Sequence, residues 1–262
     1  MISVAEALDH VFALADPTET ETVPLRQAVG RVLAAPLVAR RDQPPFRASV
    51  MDGYAVAGSA KSYRVVGETP AGGSSIETIN DGEAVRVFTG APVPEGATRV
   101  VIQEDVARSG DIITLTANAD DQVYIRPIGR DFKTGDNVDA PRRLTPALVA
   151  LAAAMNLPVL TVARRPKVAI IATGNELVMP GEDPAPSQII ASNMIALAAS
   201  AESEGADARL LPIARDTRES LEAAFGLAAD ADLIVTIGGA SVGDYDLVGE
   251  VAGDLGLDRA FY

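Results

Sequence analysis

The sequence predicts an α/β plus β chain of more than one domain. A doubly wound α/β domain lies toward the C-terminus, and a small β-rich domain is inserted ahead of it. Three observations carry this. After Lys167 the patterns run strand, helix, strand, helix, strand, over 167–173, 193–204, 208–213, 217–228 and 232–238. Such alternation implies right-handed crossovers and a parallel sheet. Two of those strands, Val168–Thr173 and Leu233–Ile237, are continuous apolar runs bounded by Gly, the habit of strands buried on both faces. Between Phe46 and about Arg126 the texture changes to short β-rich runs separated by Gly, Pro, Asn and Asp, which is the signature of a small all-β insert.

From the N-terminus, residues 3–15 form an amphipathic helix. Ser3 and Glu6 make a capping box, and Val4, Leu8, Val11 and Phe12 share one face. Asp16-Pro17 ends it. A second helix is expected from Pro24 through Leu25, Val29, Val32 and Leu33, because Pro suits a first turn. Arg40–Pro45 reads as a stiff linker, since its paired prolines oppose helix and ladder alike. The β runs are Tyr63–Val66, Ala84–Phe88, Val100–Gln103, Ile112–Leu115 and Val123–Ile125. Thr145-Pro146 opens a helix whose apolar face is Leu148, Leu151, Ala152 and Met155, and Leu157–Val162 is a short strand. In the α/β part, Ser192 or Asn193 caps one helix, and Asp216 with Glu219 caps the next. The expected bodies are 1–45 packing with 127–165 as a helical/β domain, 46–126 as the β-rich insert, and 166–262 as the α/β domain.

Composition narrows the chemistry. The 262 residues exceed one average domain. No run approaches the ~20 apolar residues of a bilayer crossing, and no signal-peptide pattern opens the chain, so no membrane role and a cytoplasmic location are expected. The 36 acidic against 22 basic residues give a charge of −14, which disfavours nucleic acid because such binding neutralises phosphates with Lys and Arg. Cys is absent and His10 is the sole histidine. Thiolate sites, His-based zinc and a Ser-His-Asp triad are therefore disfavoured, and acid–base or metal chemistry falls to carboxylates.

Two loops follow the buried strands, Gly174–Leu177 and Gly238–Asp246. In parallel sheets ligands sit beyond the carboxyl ends of the strands, and glycines let backbone N–H groups approach an anion. A pocket for a phosphorylated small molecule is expected there, with Ser241 as a further donor and Glu176, Asp244 and Asp246 at its rim. In the β-rich part, Asp52-Gly53 and Thr89-Gly90 each set a polar side chain beside Gly, as a turn aimed at a ligand would; plain turn formation also explains them. Gly129–Gly135 is another glycine-bounded polar loop.

Taken together, these strings resemble the molybdopterin molybdenumtransferase family, of the MoeA and gephyrin E-domain type. The resemblance rests on Pro45-Phe46, Ser49, Met51–Ala55, Thr89–Gly96, Gly129–Asp131, Thr173–Leu177, Ser192-Asn193, Arg215-Asp216 and Gly238–Gly243 through Asp246, in that order over nearly the whole chain. It implies insertion of molybdenum from molybdate into adenylylated molybdopterin, with release of AMP and the aid of Mg²⁺. It also implies an elongated homodimer whose site is a cleft between the α/β domain of one subunit and the β-rich part of the other, and a molybdopterin adenylyltransferase as a partner. Carried over by position, Gly238, Gly239, Ser241 and Gly243 hold the pterin phosphate, while Thr173, Gly174, Ser192 and Asn193 line the pterin side. Glu176, Asp216 and Asp246, with Asp52, Thr89 and Asp131, form the polar set, and Glu176, Asp216 and Asp246 are the metal ligands.

Several members have a second explanation. Asp216 suits a helix N-cap, Asp131 a turn, and Asp244 or Asp246 a helix start. Asn175 stands where the family more often has Asp. The family also continues past Tyr262 with a Pro-Gly-Lys-Pro segment, the end of the α/β domain and a small β-domain. These 262 residues are expected to be weakly active or inactive unless the remainder exists in the native protein, which leaves a non-catalytic molybdopterin- or nucleotide-binding module as the alternative reading.

Overall fold

In a computed structural model describing residues 2–73, 76–238 and 247–260, the chain folds as two compact units. One is Met1–Val23, Gly30–Ala34 and Thr161–Tyr262; the other is Pro24–Val29 and Ala35–Leu160. The stretch 46–126 lies in the second unit together with 127–160, whereas residues 1–45, expected to pack with 127–165 as one domain, are divided between the two. The described helices are α1 Val4–Ala13, α2 Pro146–Ala154, α3 Ser192–Ser203, α4 Arg218–Leu227 and α5 Leu247–Asp254.

The α/β unit has the expected doubly wound sheet. Lys167–Ala172 is central, flanked in parallel by Asp207–Leu210 on one side and Leu233–Ile237 on the other. Alternation along the central strand divides the core. Val168, Ile170 and Ala172 pack with Met194 and Ala198 of α3, whereas Ala169 and Ile171 pack with Leu221, Ala224, Phe225 and Val251 of α4 and α5. Side chains of period two thus seat helices on both faces.

The amino ends of two strands are tied by charge. Arg164 grips Asp232 with two hydrogen bonds at 2.8 and 2.9 Å, and the Lys167 N–H donates to the same carboxylate at 2.7 Å. The Arg164 bonds foremost, then the Lys167 amide, hold the Asp232 carboxyl at about 2, below the usual 3.8.

The β-rich unit holds a six-stranded sheet in the order Arg99–Ile102, Gly53–Val56, Glu83–Val87, Ser62–Thr69, Ile112–Leu115, Val106–Ser109. It is antiparallel except where Ser62–Thr69 pairs with Glu83–Val87. Both faces are covered: Ala55, Val85, Val87 and Val100 enter one cluster, while Tyr54, Val56, Ala84 and Val101 enter another.

Four local expectations need correction. Residues 24–33 are not a helix; Thr20–Pro24 and Val32–Leu33 are strands around the short 3-10 turn Leu25–Gln27. Gly30, at φ +79°, breaks the turn, and Val29 and Val32 are exposed where a core-facing helix stripe would bury them. Of the run Val123–Ile125 only Ile125 joins a ladder, with Arg126, because Tyr124 has a positive φ of 48°. Gly53, read with Asp52 as a turn, instead opens the strand Gly53–Val56, second from the edge of the six-stranded sheet. The caps also shift. Thr217, not Asp216, caps α4 by accepting from the Ser220 N–H, and α3 has Ala191 at its cap position with no side-chain bond. The capping box at Ser3 and Glu6 and the Thr145 cap of α2 form as expected.

Ile170 is fully buried, so Ile170→Ala is expected to cost about 2–5 kcal/mol in urea denaturation. The Asp232 knot sets an acid limit. Its folded pKa lies below the unfolded value, so its contribution is complete above 3.8 and fades as pH falls toward about 2. Asp232→Asn is expected to be less stable than the parent at pH 6, with the gap closing over that window in thermal melts.

Candidate functional site

The strand order decides where a ligand can sit. The chain leaves the central strand for Asp207–Leu210 on one side, then returns across to Leu233–Ile237 on the other. The crevice beyond the carboxyl ends of Lys167–Ala172 and Leu233–Ile237 is therefore the topological switch point. The register pairs Ala172 with Ile237, so Thr173 and Gly238 leave the sheet side by side.

That juncture is tight. Thr173 is buried, and both its N–H, at 2.9 Å, and its Oγ1, at 3.3 Å, donate to the Ile237 carbonyl. Gly238 has φ +95°, and a Cβ there would stand 2.7 Å from the Thr173 carbonyl oxygen and 2.8 Å from its Oγ1. Only glycine fits on both counts. The rest of the second loop, with Gly239, Ser241, Gly243, Asp244 and Asp246, lies outside the described residues.

The first loop is described throughout. Gly174 is buried with φ +147°, and its N–H donates to the Ala214 carbonyl at 3.0 Å. The Glu176 carboxylate folds back over it, so that a Cβ at Gly174 would lie 2.5 Å from Glu176 Oε2. Asn175 and Asp216 bond reciprocally. The Asn175 N–H donates to Asp216 Oδ2 at 3.2 Å, and the Asp216 N–H donates to Asn175 Oδ1 at 3.3 Å. With Thr217 as the helix cap, Asp216 is released from that role. Glu176 and Asp216 thus stand on two loops bonded to each other. Ser192 and Asn193 are exposed at the first turn of α3. Their chain position is set by the parallel pairing of Leu177–Val178 with Ile189–Ile190.

The β-rich unit holds the other expected residues. Asp52 Oδ1 accepts from the Thr89 N–H at 2.7 Å and from the Thr89 hydroxyl at 2.8 Å. The backbone bond first, then the hydroxyl, lower the Asp52 pKa from its ordinary value against an opposing desolvation, with the charge of Arg86 as the least of the causes. Gly53 serves the sheet: a Cβ there would meet the Val101 carbonyl oxygen at 2.0 Å. Asp131 pairs with Arg126, and its N–H donates to the Gln43 carbonyl at 2.8 Å.

Two arginines carry roles that the sequence did not give them: Arg86 was not singled out, and Arg215 entered only as part of the Arg215-Asp216 string. Arg86 lies 5.1 and 5.0 Å from the ring centres of Tyr54 and Phe88, and its cross-strand pairing with Tyr54 was accessible only once the register was known. Arg215 precedes Asp216 and reaches back to the first loop. Among the described residues no three His, Cys, Asp or Glu side chains form a cluster able to hold a metal ion. Glu176 and Asp216 are nonetheless hard oxygen donors of the kind Mg²⁺ takes while keeping several waters. A cavity of ≈ 1080 Å³ opens at the other end of the sheet, lined by Lys167, Asp232, Leu233 and the end of α1. Of its charged groups, Arg164 is paired with Asp232, and Lys167 with Asp230.

Residues 2–156 match the family described as MoeA N-terminal region (domain I and II), and residues 169–260 match the Probable molybdopterin binding domain. The chain is 36% identical over 271 residues to a molybdopterin molybdenumtransferase of Nostoc, covering 98% of this chain and 62% of the relative. It is 39% identical over 247 residues to molybdopterin molybdenumtransferase 2 of Mycobacterium tuberculosis, covering 88% of this chain and 60% of that one. The crystal structure of the molybdopterin biosynthesis MoeA protein from Pyrococcus horikosii superposes with a TM-score of 0.85 at 32% identity, covering 98% of this chain and 67% of that one. The chain therefore spans about three fifths of the length of these curated relatives. Among the described residues no helix is long and apolar enough to cross a membrane.

Gly238→Ala is expected to lose at least about 1–2 kcal/mol from the left-handed backbone alone, and to loosen the Thr173 bonds, seen as faster amide exchange at Thr173. Wild-type exchange and stability in this variant would contradict the tight juncture.

Proposed function

This chain belongs to the MoeA family, and we propose that it inserts molybdenum from molybdate into adenylylated molybdopterin, with release of AMP, in molybdenum cofactor assembly. The observation that carries the reading is the juncture of Thr173 and Gly238 at the switch point, inside the stretch that matches the molybdopterin binding domain. In this reading, Gly238 and the following Gly239, Ser241 and Gly243 present amide and hydroxyl donors to the pterin phosphate. Thr173, Gly174, Ser192 and Asn193 line the pterin. Glu176, Asp216 and Asp246 form the acidic side, and Asp52, Thr89 and Asp131 keep the polar roles that the family resemblance gives them.

The chemistry suits those residue types. Backbone donors at a strand end favour phosphate without adding a mobile cation. Glu176 and Asp216, with Asp246, would hold Mg²⁺. When bound, that ion would offset the charge of phosphate and molybdate in a strongly acidic chain. Asp52 is kept ionised by Thr89, so it acts as an acceptor. The proposal extends to a homodimer, to a cytoplasmic location and to a molybdopterin adenylyltransferase as the source of substrate.

The test is AMP release from adenylylated molybdopterin, expected to require both molybdate and Mg²⁺. Binding of molybdopterin with no AMP release under any condition would favour a binding module instead. Glu176→Gln is expected to slow AMP release by about 100-fold or more while molybdopterin affinity and the melting temperature hold. An unchanged rate would remove Glu176 from the mechanism.

A further inference from the structure

We propose that Arg215 is a positioning residue: its guanidinium clamps the Gly174–Leu177 loop and so fixes Glu176 relative to Asp216. The kinetic consequence rests on the function proposed above; the clamp itself does not.

The loop has to dispose of four carbonyl groups outside any helix or long ladder. Each is accounted for. Arg215 Nη1 donates to the carbonyls of Asn175 at 3.0 Å, Leu177 at 3.3 Å and Gly174 at 3.5 Å. The remaining one, of Glu176, accepts from the Ile189 N–H at 2.8 Å. One side chain therefore holds the backbone on both sides of Glu176. Backbone carbonyls left without partners would turn to water, and the loop would lose its reason to keep one shape.

Arg215 is itself anchored. Its N–H donates to Ser220 Oγ at 2.9 Å, and its carbonyl accepts from the Thr217 N–H at 2.7 Å, so it is built into the start of α4. The neighbouring Ala214 forms a bridge with Thr173 at the base of the loop. With the reciprocal Asn175 and Asp216 bonds, the two carboxylate-bearing loops are tied to each other at several points. Every hydrogen bond described for the Arg215 guanidinium goes to a backbone carbonyl. That is the pattern of a scaffold contact, and it separates Arg215 from residues that would touch substrate.

Arg215→Ala and Arg215→Lys in the full chain test this in two arms. In ligand-free hydrogen exchange, Arg215→Ala is expected to speed exchange at Asn175 and Ile189 while the strand Lys167–Ala172 is unaffected, with Arg215→Lys between it and wild type. Unaltered exchange at Asn175 and Ile189 overturns the clamp whatever the chain's activity. In turnover, kcat for AMP release is expected to drop about 100-fold in Arg215→Ala, as loss of placement does, with little change in KM for adenylylated molybdopterin. Added guanidinium ion is expected to restore part of the rate. Faster exchange with wild-type kcat overturns the positioning role. If the wild-type chain itself releases no AMP, the functional reading fails, and the exchange arm alone decides the clamp.

Discussion

The parallel pairing of Lys167–Ala172 with Leu233–Ile237 is the constraint on which the candidate site depends. It sets Ala172 opposite Ile237, and from that register everything at the carboxyl end follows. Thr173 bonds the last carbonyl of the neighbouring strand twice, and Gly238 is pressed so near that no side chain fits. A slip of one residue would turn each apolar side chain to the other face of a sheet that is covered on both. The buried clusters on α3 and on α4 with α5 therefore defend the geometry of the loops.

Three of the candidate carboxylates, Asp52, Asp216 and Glu176, stand on loops placed by hydrogen bonds, whereas Asp131 is ion-paired with Arg126. Asp52 is held by the amide and hydroxyl of Thr89, Asp216 by the Asn175 amide, and the Glu176 loop by Arg215. Such an arrangement holds acidic oxygens in place, and in a chain with one histidine and no cysteine these are the groups left for metal or acid–base work. Asn175 fits the same logic. Its amide satisfies the Asp216 N–H without adding a further negative charge beside that carboxylate.

The fold was legible where a pattern had one physical meaning. The α/β alternation after Lys167 and the Ser3 and Thr145 caps are of that kind. It was not legible where one pattern served two structures. The apolar positions from Leu25 to Leu33 match a helix stripe, but Gly30 and the strand partners of Val32–Leu33 decide otherwise. Asp216 and Thr217 are both good caps, and only the bond to Ser220 selects Thr217. In the site, the glycines and acids were visible as strings, whereas the side chains that hold them were not. Arg215 and Arg86 act across loops and strands, and sequence spacing carries no information about which carbonyl or ring they meet.

The most direct measurement is a crystal structure of the chain with bound molybdopterin. The phosphate is expected beyond the carboxyl ends of the two central strands, within hydrogen-bond reach of amides in the loop that starts at Gly238, with the pterin beside Thr173. A ligand seated at the opposite, amino end of the sheet, in the cavity by Lys167 and Asp232, would contradict the account.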